Sequence, residues 1–126
     1  MKIEHLAVWV KDIEAMKTFY TTYFNAEAGA KYHNPDKKFT SYFLRFDSGC
    51  RLELMHRPDI RTAWNNNALG MAHFAVSLGS KNAVDQLTQR LKRNGHTIAG
   101  EARTTGDGYY ESVVLDPEGN QIELTV

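Results

Sequence analysis

Polar and apolar positions alternate from Lys2 to Val10. Leu6, Val8 and Val10 share one parity, and Ile3, His5, Ala7 and Trp9 the other, as in a strand with one buried face. From Asp12 the period lengthens. Ile13, Met16, Phe19, Tyr20 and Tyr23 recur at helical spacing, with Asp12 placed to cap the helix and Asn25 placed to stop it. Asn34-Pro35-Asp36-Lys37 predicts a turn, and strands follow over Thr40–Phe46 and Arg51–Met55, joined by Asp47-Ser48-Gly49-Cys50. The first half reads β-α-β-β-β.

The second half repeats that order. Ala72–Leu78 predicts a strand with Phe74, Val76 and Leu78 on one face, and Ser80 caps a helix carrying Val84, Leu87 and Leu91 that Gly95 closes. A short strand is expected at Thr97–Ala99, then longer ones at Tyr110–Leu115 and Gln121–Thr125 around the turn Asp116-Pro117-Glu118-Gly119-Asn120. Between the halves lies an aperiodic linker with Pro58 and the run Asn65-Asn66-Asn67.

The halves also match residue by residue. Ile3-Glu4-His5-Leu6-Ala7-Val8 aligns with Met71-Ala72-His73-Phe74-Ala75-Val76, and Arg51-Leu52-Glu53-Leu54 with Gln121-Ile122-Glu123-Leu124. The histidines are offset by 68 positions and the glutamates by 70. A duplication of this size predicts an α+β chain, one domain of two βαβββ modules (1–56 and 71–126, linker 57–70) forming a curved mixed sheet around a cup.

Composition narrows the function classes. Lys plus Arg and Asp plus Glu number 15 each, so the net charge is zero. That leaves no basic footprint for nucleic acid and no long-range attraction to an anionic membrane. Cys50 is the single cysteine, which excludes an internal disulfide or a thiolate zinc cluster. No signal peptide or spanning segment is read in the sequence, and a cytoplasmic protein is the expectation.

The candidate chemistry lies on the strands. Glu53 stands between Leu52 and Leu54, Glu123 between Ile122 and Leu124, and Leu6 and Phe74 follow His5 and His73. Side chains on a strand alternate faces, so if the apolar parity packs on the helices, all four polar groups project from the opposite face. Singly, each reads as an ordinary solvated residue. Matched in two copies, two imidazoles and two carboxylates suit one divalent ion: zinc, nickel, manganese or iron(II). Arg45, Arg51, Arg57 and Arg61 are candidates to pair with a substrate carboxylate or phosphate. Trp9 and Met55 share the parities of His5 and Glu53 and are candidate substrate contacts, as is Trp64 in the linker. Thr104-Thr105-Gly106-Asp107-Gly108 reads as a surface loop or a lip over the cup, and His33, His56 and His96, without repeat counterparts, as surface residues.

The chain resembles the vicinal-oxygen-chelate superfamily, which includes glyoxalase I, methylmalonyl-CoA epimerase, extradiol dioxygenases, fosfomycin-resistance enzymes and bleomycin-binding proteins. The likeness runs through the His5 strand, the helix with Phe19-Tyr20, Arg51-Leu52-Glu53-Leu54, the His73 strand and the ending Leu115-Asp116-Pro117-Glu118-Gly119-Asn120-Gln121-Ile122-Glu123. A glutamate in the second ligand place, here Glu53, makes the pattern most like glyoxalase I. The resemblance implies a metal-dependent lyase or isomerase acting on a small α-hydroxycarbonyl or thiohemiacetal through an enediolate stabilised at the metal. It gives Glu123 the role of base, with Glu53 opposite, and leaves His5 and His73 as ligands. It also implies a homodimer, the metal shared between chains in some members. Alternatives within the same fold are a non-catalytic binder of an antibiotic or toxin, and a metal-dependent epimerase or transferase. Two departures bear on the substrate: Trp9 and Arg57 stand where glyoxalase I carries an arginine and an asparagine. They point to a retained metal set with a different substrate.

Overall fold

A computed structural model of the chain describes residues 1–62 and 69–126. Residues 63–68 of the linker, and with them the Trp64 candidate, lie outside the described residues. Two compact units divide the chain, Met1–Ala63 and Trp64–Val126, and each carries its own mixed sheet.

The first module contains β1 (His5–Trp9), α1 (Ile13–Tyr23), β2 (Glu27–Ala28), β3 (Tyr32–Asn34), β4 (Phe39–Arg45) and β5 (Arg51–His56). The second contains β6 (Phe74–Ser77), α2 (Lys81–Arg93), β7 (Ile98–Thr104), β8 (Tyr110–Leu115) and β9 (Gln121–Thr125). Strand order is β1-β5-β4-β2 in one, with β3 also on β4, and β6-β9-β8-β7 in the other. In both, the opening strand lies parallel to the closing one, which is antiparallel to its other neighbour. The second module is the α+β, βαβββ unit expected from the repeat, and the first departs from it by one short strand, β2 and β3 both pairing with β4.

Local chemistry explains the boundaries. Asp12 accepts the Ala15 N–H at the start of α1, and Ser80 accepts the Ala83 N–H at the start of α2, each satisfying a donor that the first helical turn leaves unpaired. Asn25 and Gly95 adopt positive φ just beyond the helix ends, where the left-handed conformation turns the chain out. The carboxylate of Asp116, buried at 4% exposure, accepts from the backbone N–H groups of Glu118 and Asn120 and from Asn120 Nδ2. The turn Asp116-Pro117-Glu118-Gly119-Asn120 is therefore pinned, and it delivers the chain into β9 and so to Glu123.

Each sheet buries one face under its own helix. Leu52 and Leu54 of β5, and Ile122 and Leu124 of β9, are at most 3% exposed. The helix side of the first module is aromatic: Phe19, Tyr20 and Phe24 pack with ring centroids 5.2–5.6 Å apart. The second replaces this with Val84, Leu91 and a hydroxyl pair. Thr88 Oγ1 lies 2.7 Å from Ser112 Oγ and donates to the Val84 carbonyl, both residues being fully buried.

Two expectations are corrected. β7 runs seven residues, Ile98–Thr104, rather than three; its alternation is broken by two register shifts against β8, which hide a strand from a period-two reading. The segment Thr104–Gly108 is, in line with its reading as a surface loop, the exposed connection of β7 to β8, closed by the Thr105 N–H on the Tyr109 carbonyl and the Gly108 N–H on the Thr105 carbonyl. His56 and His96 are half-buried rather than surface residues, and His56 Nδ1–H donates to the Val10 carbonyl. No helix among the described residues is long and apolar enough to cross a membrane.

Candidate metal centre

The parallel ladder of β1 on β5 sets His5 opposite Arg51 and Ala7 opposite Glu53. Residues opposite one another share a face, so His5 and Glu53 both stand on the side away from α1. There His5 Nε2 lies 3.9 Å from Glu53 Oε2. The ladder of β6 on β9 does the same in the second module, with Ala75 opposite Glu123. His73, two residues ahead of Ala75, brings its Nε2 to 3.2 Å from Glu123 Oε2. The glutamate side chains are largely covered, 14% exposed for Glu53 and 21% for Glu123, while the imidazoles are more open. Two histidine–glutamate pairs are thus built at repeat-matched positions, one per module, with His5 inside β1 and His73 just ahead of β6. Among the described residues, no three or more of His, Cys, Asp and Glu gather as a metal-binding group.

The donor chemistry suits a divalent ion of the zinc, nickel, manganese or iron(II) kind, because each pair offers one imidazole nitrogen and one carboxylate oxygen on the same face. One ring is also held in place. His5 Nδ1 lies 2.5 Å from Glu4 Oε2, and a ring nitrogen that donates to a carboxylate leaves the other as the available ligand. The hydrogen bond with His5, reinforced by Arg51, holds the Glu4 carboxyl below its ordinary pKa. Alternation along the sequence conceals Glu4, since neighbours on a strand face opposite ways; the repeat conceals it too, because Ala72 precedes His73.

Around the first pair the candidate substrate residues divide. The Arg51 guanidinium bonds Glu4 and lies 4.1 Å from the Phe43 ring centroid, while Phe43 meets the His5 ring edge-on at 5.3 Å. Arg51 therefore braces the His5 ring. Met55, opposite Trp9 across the ladder, shares the face of Glu53. Arg57 lies 5.5 Å from the Trp9 ring and pairs with Asp59 through two nitrogens. Arg61 donates to the Pro58 carbonyl, and it lines with Arg57, Lys37 and Lys38 a surface cleft of about 650 Å³. Arg45 stands apart at the far end of β4, exposed and paired with Glu27 at 3.1 Å.

Known proteins resemble the chain over nearly its whole length. The model of the Glyoxalase/Bleomycin resistance protein/Dioxygenase superfamily matches residues 2–124. The chain is 27% identical over 127 residues to the uncharacterized protein YqjT of Bacillus subtilis, covering 97% of this chain and 96% of that protein. It is 25% identical over 128 residues to the lactoylglutathione lyase of Salmonella typhimurium, covering 98% and 91%. The solved glyoxalase I of Leishmania major, described as trypanothione-dependent, superposes with a TM-score of 0.80 at 25% identity, covering 99% of this chain and 86% of that one.

Proposed function

From the premise that the chain belongs to the Glyoxalase/Bleomycin resistance protein/Dioxygenase superfamily, we propose that it is a metal-dependent lyase or isomerase of the glyoxalase I type. Its substrate is a small α-hydroxycarbonyl or thiohemiacetal. The observation that carries this reading is the matched pair of histidine–glutamate contacts at repeat-matched positions of the two modules.

The proposed donors are His5, Glu53, His73 and Glu123. A divalent ion bound by these donors would supply Lewis acidity toward a substrate carbonyl, which would make the neighbouring C–H acidic. The remaining work falls to the chain. Glu123 takes the proton from the carbon beside the carbonyl and returns it to the adjacent carbon, so the substrate is isomerised with no net change in protons. Glu53 is the second carboxylate of this reading. His5, its Nδ1 engaged by Glu4, presents Nε2 as a fixed ligand. Trp9, Met55 and Arg57 contact the rest of the substrate. The functional unit in this reading is a homodimer in the cytoplasm, with no nucleic-acid or membrane partner.

The test is to load the purified chain separately with zinc, nickel and manganese, count metal per chain, and assay turnover of the methylglyoxal–glutathione adduct and a panel of small α-hydroxycarbonyls. Stoichiometric metal that is lost in His73→Ala, together with turnover of a panel member, supports the proposal. Metal without turnover removes the lyase or isomerase and keeps the metal centre. Absence of bound metal removes both. A second reading, a non-catalytic small-molecule binder, is favoured by Trp9, 42% exposed with the Arg57 guanidinium beside its ring, since an open aromatic face next to a cation suits a planar ligand.

A further inference from the structure

The second module carries an arginine on its open face that alternation along the sequence conceals. In β7, Gly100 lies opposite Val113 and Arg103 opposite Glu111, so three steps along β7 match two along β8. An unbroken ladder would set Ala102 against Glu111. The inserted residue turns Arg103 onto that face instead, which is what a bulge does to the side chain beyond it. Val113 is opposite Glu123, and Glu111 opposite Thr125; Arg103, Glu111 and Glu123 therefore share one surface.

Gly100 makes room for the guanidinium. A Cβ at Gly100 would lie 3.1 Å from Arg103 Nη1 and 3.4 Å from Val113 Cγ2. The arginine thus folds back over the glycine, into the row Gly100–Val113–Glu123 that crosses the sheet. Two strand spacings place it about 10 Å from Glu123. Glu111, its side chain 14% exposed, meets Arg103 Nη2 at 3.4 Å, at the long limit of a hydrogen bond, while Arg103 itself is 53% exposed. A guanidinium has five N–H donors in a planar fork suited to carboxylate or phosphate, and this contact engages one of its nitrogens.

We propose that Arg103, steadied by Glu111 and seated over Gly100, binds a terminal oxyanion of the substrate, a carboxylate or a phosphate, about 10 Å from the His73–Glu123 pair. As a statement about substrate it rests on the reading of that pair as the reaction site; as an anion site it stands alone.

The test uses isotope-labelled, metal-free protein titrated with inorganic phosphate and, separately, acetate, followed by NMR at the amides of Gly100 and Val113. A saturable shift at these amides is expected for at least one anion. Arg103→Met should weaken that binding by about 10-fold or more, as loss of a charge-assisted fork does. Gly100→Ala keeps the charge but adds the Cβ that displaces Nη1, and should weaken it by roughly 3-fold or more. Phosphate binding assigns a phosphorylated substrate and acetate binding a carboxylate. Unmoved amides with both anions, or equal affinity in wild type and Arg103→Met, overturn the proposal. Nickel binding by the same protein is scored separately. Phosphate or acetate binding without nickel sinks the reaction reading alone, and nickel binding with silent amides sinks the anion site alone.

Discussion

The two modules share a topology and a histidine–glutamate pair, yet they surround that pair differently. The first backs it with aromatic rings and a buttress: Phe43 against His5, Arg51 over Phe43, Glu4 on the imidazole. The second has Val113 beside Glu123 and Ala72 ahead of His73, and it brings Arg103 onto the face only through a bulge. The contrast continues beneath the sheets. Tyr20 and Tyr42 stand at the repeat positions of Thr88 and Ser112, related by the same 68- and 70-residue offsets as the two histidines and the two glutamates, and all four are buried. What the copies keep is strand pairing, the buried apolar positions of the closing strand and one histidine and one glutamate each; what they change is the surroundings of that pair and the buried positions under the helix. Duplication preserved the frame, and divergence wrote the specificity.

The contrast can be broken most strongly in the cores. Leu54 and Leu124 are fully buried equivalents, so Leu54→Ala and Leu124→Ala should each cost about 2–5 kcal/mol in denaturant melts. A difference between them would show which module folds around the tighter core. Next come the donors. Glu53→Ala and Glu123→Ala should each lower nickel affinity by roughly 100-fold or more in calorimetry, above the effect of an outer contact; equal losses mean that both pairs hold the ion, and a loss in one alone assigns it to a single module.

Within the second core, Thr88→Val removes the hydroxyl facing Ser112 and leaves a buried polar group unpartnered, at a cost of about 1–3 kcal/mol. Glu4→Gln should weaken metal binding by about 10-fold, the scale of an orienting contact, without changing the melt; the second module has no counterpart.

The smallest effect is one of pH. Lys17, Lys31 and Tyr42 hydrogen-bond Glu14 and hold its carboxyl at about 2 instead of 4.5. A carboxyl depressed in the folded state stabilises fully above its unfolded value, and the contribution fades as pH falls from about 4.5 through about 2. Glu14→Gln should flatten the acid limb of a stability–pH curve in that window, and an unchanged limb would show the cluster to be energetically silent, as exposed ion pairs often are.

The amino-acid sequence by itself determined the βαβββ repeat, the helix caps at Asp12 and Ser80, the strands Tyr110–Leu115 and Gln121–Thr125 and the parity that puts His5, Glu53, His73 and Glu123 opposite the apolar face. These follow from short-range chemistry, a period of two or 3.6 and a capping side chain. Only the tertiary structure decided which partner each side chain meets. Glu4 on His5, Arg51 on Phe43 and Arg57 on Asp59 are set by ladder register and loop course, and β2 and β3 are too short to show a period. Arg103 is the sharpest case: counted along the chain, it and Gly100 fall on opposite faces, and a single unpaired residue in β7 brings them onto the same one. Parity is a local property, but where it resets depends on the strand alongside.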